Sequence, residues 1–194
     1  MKIRFAIAAV LLIGGAATAA PVKYTIDPEH TYPSFEADHF GGLSTWRGKF
    51  NKTSGTIVYD KEAGSGTLDI TIDPASVDTG HEKLNAHVKS SDGMLDVAKY
   101  PSATYTGKLA KFVNGAPTEV DGTLTLHGVS KPVTLKIDRF DCRPHPLKKG
   151  QNVCGANATS TIDRGAFGVD WGKNYGFKMD VKLEIQVEAL TAAQ

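Results

Sequence analysis

The residues of this chain with the most chemical capacity are its histidines and cysteines. His30, His39, His81, His87, His127 and His145 are scattered, and none stands in a His-x-His or His-Glu-x-x-His arrangement. His81 and His87 are six positions apart, a spacing that does not stack two side chains on one helix face. Each reads as a polar contact or a surface residue before it reads as a metal ligand. The sequence carries no Gly-x-Ser-x-Gly elbow, no Ser-x-x-Lys pair and no paired-cysteine zinc spacing. Gly64-Ser65-Gly66 falls in a hairpin turn and opens no helix, so it does not cradle a phosphate. These patterns lead to the expectation of no catalytic residue, no metal and no cofactor.

Cys142 and Cys154 are the only cysteines, and they flank one loop that also holds His145. Two readings compete: a disulfide, or a soft metal site with His145 as third ligand. The compartment decides between them, because exported chains pair their cysteines. Closing a loop of this size stabilises by about 3 kcal/mol in the chain-entropy model. Export is expected from the first residues. Lys2 and Arg4 precede an apolar run from Phe5 to Ile13, then small residues ending Ala17-Thr18-Ala19. That is the pattern of a signal peptide over residues 1–19, and its apolar run is shorter than the roughly 20 residues that span a bilayer. The expected address is the periplasm.

Charge is nearly balanced, with 22 basic against 21 acidic residues, so nothing argues for nucleic acid. Without Lys2 and Arg4 the remaining chain is slightly acidic. No repeat and no linker divides it, and residues 20–194 are read as one domain.

The elements that must position any site are strands. Val120, Leu124 and Leu126 alternate with Asp121, Thr123 and Thr125; after Gly128, Val133, Leu135 and Ile137 alternate with Thr134, Lys136 and Asp138. A period of two gives each strand one apolar face. The same pattern runs through most of the chain, most cleanly from Met179 to Ala189. It stops at Pro74 and returns at Ala103, and between them Leu84, Val88, Ser91 and Leu95 keep helical spacing. The reading is all-β: an antiparallel eight-stranded barrel with a short helical insertion at about residues 80–99. A closed barrel is favoured over a sandwich because it leaves no sheet edge, and eight strands enclose room for one small ligand. Gly107, Gly122, Ala156 and Ala158 fall on inward positions and are expected to leave space there.

Several ordered segments resemble the YceI-like, polyisoprenoid-binding family. They are Ile26-Asp27-Pro28-Glu29-His30 with Phe35 and His39-Phe40, and Trp46-Arg47-Gly48-Lys49-Phe50 leading to Gly55-Thr56-Ile57. The run from Leu124 to Val133 and the run from Ile162 to Gly168 continue the set. One segment departs from the family's usual Arg-Asp-x-His-Leu-x-Ser and paired aromatics. Here it reads Leu84-Asn85-Ala86-His87-Val88-Lys89-Ser90, then Asp92-Gly93-Met94-Leu95.

The resemblance implies a lipocalin-like barrel holding a long isoprenoid or fatty-acyl lipid in an apolar channel, for carriage or storage. Phe35, Phe50, Leu68, Leu84, Leu95, Phe167 and Trp171 are the expected lining, with His39 or His87 near a polar end. Transient membrane contact is expected, and a homodimer is left open. Two rivals stand beside this reading. An enzyme would use His39 or His87 as base on an isoprenoid or quinone head and needs a second polar group converging there. A purely structural envelope protein would have no cavity.

Overall fold

The computed structural model describes residues 20–193; the leader read over residues 1–19 lies outside the described residues. Among the described residues, eleven strands form one antiparallel sheet that closes on itself. In chain order they are β1 Val22–Ile26, β2 Tyr32–His39, β3 Ser44–Phe50, β4 Thr53–Asp60, β5 Ser65–Ile72 and β6 Val77–Asp78. After the helix α1, Glu82–Lys89, come β7 Ala103–Val113, β8 Ala116–Leu126, β9 Val129–Pro144, β10 Asn152–Asp163 and β11 Asp180–Leu190.

These eleven strands make an eight-stranded barrel because three of its staves are broken. β1 and β2 both lie along β11, with Ile26 opposite Ala189 and Tyr32 opposite Gln186. On their other side β4 pairs with β1 and β3 with β2, while β5 and β6 continue next to β4 and β3. Each break has a local cause. Pro28 has no N–H for a ladder, and Asp27 Oδ1 accepts the Glu29 N–H at 3.0 Å. In the third stave Asp73 Oδ1 accepts the Ala75 N–H at 2.8 Å and Pro74 opens a one-turn 3-10 helix. The second break is sewn to the third, since Ser76 Oγ accepts the Lys52 N–H at 3.0 Å.

One end of the barrel carries the turns at 61–64 and 114–115 and the loop at 145–151. It is filled by a buried cluster of Tyr24, Ile26, Tyr59, Cys154 and Ala189, with Phe112 and Phe140 packed on it. Tyr59 Oη donates to the Gly115 carbonyl at 2.5 Å, and its ring meets Phe140 edge-on at 5.3 Å. Cys142 and Cys154 are disulfide-bonded partners directly opposite in the β9–β10 ladder. The metal alternative therefore gives way. His145 is a turn residue, its Nδ1 accepting the Leu147 and Lys148 N–H groups at 3.1 and 2.9 Å.

The other end carries the turn at 40–43, the insertion at 79–102, the turn at 127–128 and the segment 164–178. His127 and Gly128 both have positive φ, 52° and 75°, which is the two-residue turn that suits the strand twist. A Cβ on Gly128 would press into the Tyr100 ring.

Two expectations need correction here. α1 ends at Lys89, so Ser91 and Leu95 are not on a helix. Ser90 turns extended and its hydroxyl bonds the His87 carbonyl at 2.7 Å; the chain then doubles back until Leu95 N–H meets Val88 O at 3.0 Å. Leu84, Val88 and Leu95 still share one apolar cluster, now with Val77 and Val169. The other correction concerns Gly107 and Gly122, which leave no empty space. A Cβ on Gly122 would overlap the Tyr105 ring, and one on Gly107 would crowd Val120 at 2.8 Å. The paired glycines make room for a buried tyrosine whose Oη donates to Val133 O at 2.7 Å and Val120 O at 3.2 Å. Burial pushes the pKa of that phenol well above its usual value.

Candidate functional site

The inward faces of the staves enclose a cavity of about 290 Å³. It reaches from Ile26 and Phe140 near the filled end to Trp46, Met94 and Trp171 at the other. Its wall is overwhelmingly aliphatic and aromatic, because every stave contributes its apolar alternate. Among the described residues, Asp38 and Arg164 are the only charged residues that border it. Ala156 and Ala158 are on the wall, where their small size leaves the lumen open.

Of the residues singled out in the sequence, Phe35, Phe50, Leu68, Leu95 and Trp171 line this cavity. Phe35 and Phe50 face each other at 5.8 Å between ring centres, and Gly48 leaves the niche in which the Phe35 ring lies. Leu84 and Phe167 do not line it. Leu84 packs on the cluster beneath α1, and Phe167, 2 % exposed, is buried among Tyr105, Val120, Leu124 and Ile162. Val88, one turn further along the helix, lines the lumen instead.

His39 and His87 sit off the lining too, in an aromatic rim around the end with the insertion. The His39 ring stacks on Trp46 at 4.5 Å and meets Phe177 edge-on at 5.3 Å. Phe177 meets Trp171 at 5.4 Å, and Trp171 meets His87 at 4.5 Å. Five rings from β2, β3, α1 and the segment before β11 thus form one continuous arc. Tryptophan and histidine suit such a place because each has an apolar body and a polar tip.

Two ionic groups hold the arc in place. Asp38 Oδ2 accepts the Gly41 N–H at 2.8 Å and the Lys178 N–H at 3.0 Å, tying the β2–β3 turn to the approach of β11. The Lys178 bond, with that of Gly41, holds the Asp38 pKa below the usual carboxylate value. Arg164 donates from Nη1 to Val169 O and from Nη2 to Trp171 O, both at 2.8 Å, and so clasps the segment that carries Trp171. Burial lowers its pKa, while Asp170, Asp163 and Asp38 oppose that shift; a guanidinium keeps its proton regardless.

Among the described residues, two buried side-chain polar atoms have no hydrogen-bond partner, Thr53 Oγ1 on the cavity wall and His87 Nε2 behind Trp171. His39 Nδ1 faces the Ser44 hydroxyl at 3.4 Å, and His87 presents its ring to Trp171.

Sequence reasoning missed Asp38, Trp46, Phe177 and Arg164. Arg164 carried a signal, lying in the Ile162 to Gly168 run already set apart. Trp46 shares the alternate face of Phe50 and was legible for the same reason. Phe177 and Asp38 carried none, since one follows a glycine-rich irregular stretch and the other lies on the outward alternate of its strand.

A closed antiparallel barrel with an apolar lumen, one plugged end and one aromatic end is a small-ligand container in its architecture. Residues 24–189 match the YceI-like domain family, and the chain belongs to that family. It is 37% identical to Protein YceI of Salmonella arizonae over 133 residues, 68% of each chain. Among solved structures it resembles the YCEI protein of Campylobacter jejuni, at 28% identity and a TM-score of 0.64, over 77% of this chain and 87% of that one. It also shares its fold with a polyisoprenoid binding domain from Saccharophagus degradans, with a TM-score of 0.61 at 20% identity, over 88% of this chain and 99% of that one.

Proposed function

We propose that this protein is a periplasmic carrier or store for a lipid with a long isoprenoid or fatty-acyl chain, and that it binds this lipid without transforming it. The observation that carries this reading is the cavity: apolar along its length, plugged at one end and ringed by aromatics at the other. Membership of the YceI-like family supports it, as does the polyisoprenoid binding ascribed to the Saccharophagus degradans domain. A disulfide between Cys142 and Cys154 suits an oxidising compartment, and the leader pattern over residues 1–19 supports export there.

Magnitudes bear on how the chain is held. If each carbon takes about the 30 Å³ of a liquid water, 290 Å³ accommodates about ten. At about 0.8 kcal/mol per methylene this gives about 8 kcal/mol before association and ordering costs, so chain burial in this volume supplies at most a micromolar affinity. A longer chain needs added room, and the insertion around α1 is the segment best placed to yield it. Residues 80–99 therefore act as a lid. The polar head stays at the aromatic rim, near Asp38 and Arg164.

The test is mass spectrometry of an organic extract from protein purified out of the envelope fraction. A chemically unaltered lipid with a long apolar chain, near one per protein, is the expected result. An extract without lipid overturns the reading in favour of a structural protein, and a mixture of substrate and altered product overturns it in favour of an enzyme.

A further inference from the structure

Large apolar side chains stand exposed at the rim end, and they are neighbours. Phe40 is 55% exposed, Leu43 76% and Tyr175 71%. Single exposed apolar residues are ordinary on any surface. A contiguous set beside a ligand mouth marks a contact surface. Contiguity follows from several distances. The Phe40 and Phe177 rings are 4.9 Å apart, a Cβ on Gly41 would lie 3.0 Å from the Gly176 carbonyl, and Tyr175 lies 6.2 Å from Trp171. The turn at 40–43 and the segment 172–178 therefore form one tip.

The charge on that tip has one sign available to a partner. Lys173 and Lys178 are exposed, and among the described residues neither has a carboxylate within 4.0 Å. Asp170 and Asp180, both exposed, flank these lysines in the chain. Asp38 accepts backbone N–H groups, and Asp170 lies within electrostatic reach of the Arg164 guanidinium. Within 40–43 and 172–178 themselves the charged residues are the two lysines, beside the exposed aromatic and aliphatic side chains.

We propose that this tip, Phe40, Leu43 and Tyr175 with Lys173 and Lys178, docks the rim of the barrel on an anionic lipid bilayer. The chemistry matches on both counts: rings and a leucine insert at the headgroup level, and ammonium groups meet lipid phosphates. Its place in the fold adds the third argument. Phe40 and Tyr175 touch Phe177 and Trp171, two rings of the arc around the cavity. Docking there lets an apolar chain pass between bilayer and lumen without crossing water. This inference rests on the carrier reading, but its test does not.

The experiment is co-sedimentation of the mature, disulfide-bonded protein with phosphatidylethanolamine vesicles, with and without phosphatidylglycerol, at low and high salt. Binding to the phosphatidylglycerol vesicles is expected, weakening as salt screens the lysines. F40S/L43S and K173E/K178E should each weaken it by about tenfold, the scale of one apolar anchor or two surface charges. Y175S serves as a second apolar variant, with thermal unfolding of all three as the check on folding. Leu147, 88% exposed in the loop at the opposite end, is the control, and L147S should bind as the parent does. Absence of sedimentation with either vesicle overturns the proposal, as does equal loss in L147S. It is also overturned if F40S/L43S leaves vesicle binding unchanged and instead splits a dimer in size-exclusion chromatography, which makes a second copy the occupant. Lipid extracted from the same preparation is scored separately. Lipid without docking overturns this proposal alone, and docking without lipid overturns the carrier reading alone.

Discussion

The Asp38 carboxylate accepts a hydrogen bond from the Lys178 backbone N–H at 3.0 Å, across a separation of 140 residues. With the Gly41 bond on the same oxygen, it fixes the tip of the first hairpin against the approach to the last strand. The aromatic arc around the cavity end depends on this tie, because His39 and Phe177 are its immediate neighbours.

Asp38→Ala should therefore loosen the rim without unfolding the barrel, raising amide exchange at 40–43 and 176–178 and shortening lipid retention. Asp38→Asn, which still offers an oxygen, should lose less. The pH dependence has a definite sign. The folded pKa is depressed, so this contribution is present above the ordinary Asp value of about 3.9 and is lost as pH falls through the folded value. Exchange at these amides that stays flat on acidification, or an Ala variant like the parent, would contradict the assignment.

Ala158→Trp tests the lumen. Ala158 lies on the cavity wall at 5% exposure, so the indole should occupy ligand space and lower lipid recovery with little change in melting temperature. In a close-packed core the same change would destabilise by about 1–3 kcal/mol from overpacking. Thermal unfolding beside lipid recovery separates the outcomes, and a destabilised variant with full lipid content counts against a ligand lumen.

Tyr105→Phe should act on stability alone. It strips a buried hydroxyl from the Val120 and Val133 carbonyls, at about 1–3 kcal/mol. For a chain of this size that lowers the melting temperature by about 2–4 °C per kcal/mol. Lipid recovery should hold, and an unshifted melting temperature would show that the hydroxyl bonds contribute nothing.

Leu84→Asp should free the insertion. Leu84 packs on Val77, Val88, Leu95 and Val169, and an eight-residue helix has little stability without such packing. Residues 80–99 should exchange faster than β11 in the parent, faster still in the variant, and more slowly with lipid bound. Equal protection in both segments, indifferent to lipid, would make the insertion a fixed wall.

The cysteine pair and the leader can be read together from intact mass. Envelope protein should begin at Ala20 and carry the Cys142–Cys154 bond, and its reduction should lower stability by about 3 kcal/mol. Retained residues 1–19, or two alkylatable thiols without reductant, would refute this.

Alternation along single strands was legible from the chain, because the pleat writes its period of two into each segment locally. The hairpin turn at Gly128, the apolar face of β11 and the stop at Pro74 all follow from neighbours in sequence. The cysteine pairing was legible from the expected compartment, and three of the lining residues, Phe35, Phe50 and Leu68, fell on alternates that could be read in advance. Long-range pairing has no such local signature. Nothing near Asp27 says that β1 and β2 share β11 as a partner, so eight staves seen from within the sheet look like eleven strands from within the chain. Gly122 reads as a vacancy until Tyr105, on another strand, is found lying over it. Helical spacing carried Leu95 past the end of α1, because periodicity does not register a Ser90 hydroxyl ending the helix. The rim is the furthest from the sequence. His39, Trp46, His87, Trp171 and Phe177 come from segments far apart, and only closure of the barrel brings their rings into contact.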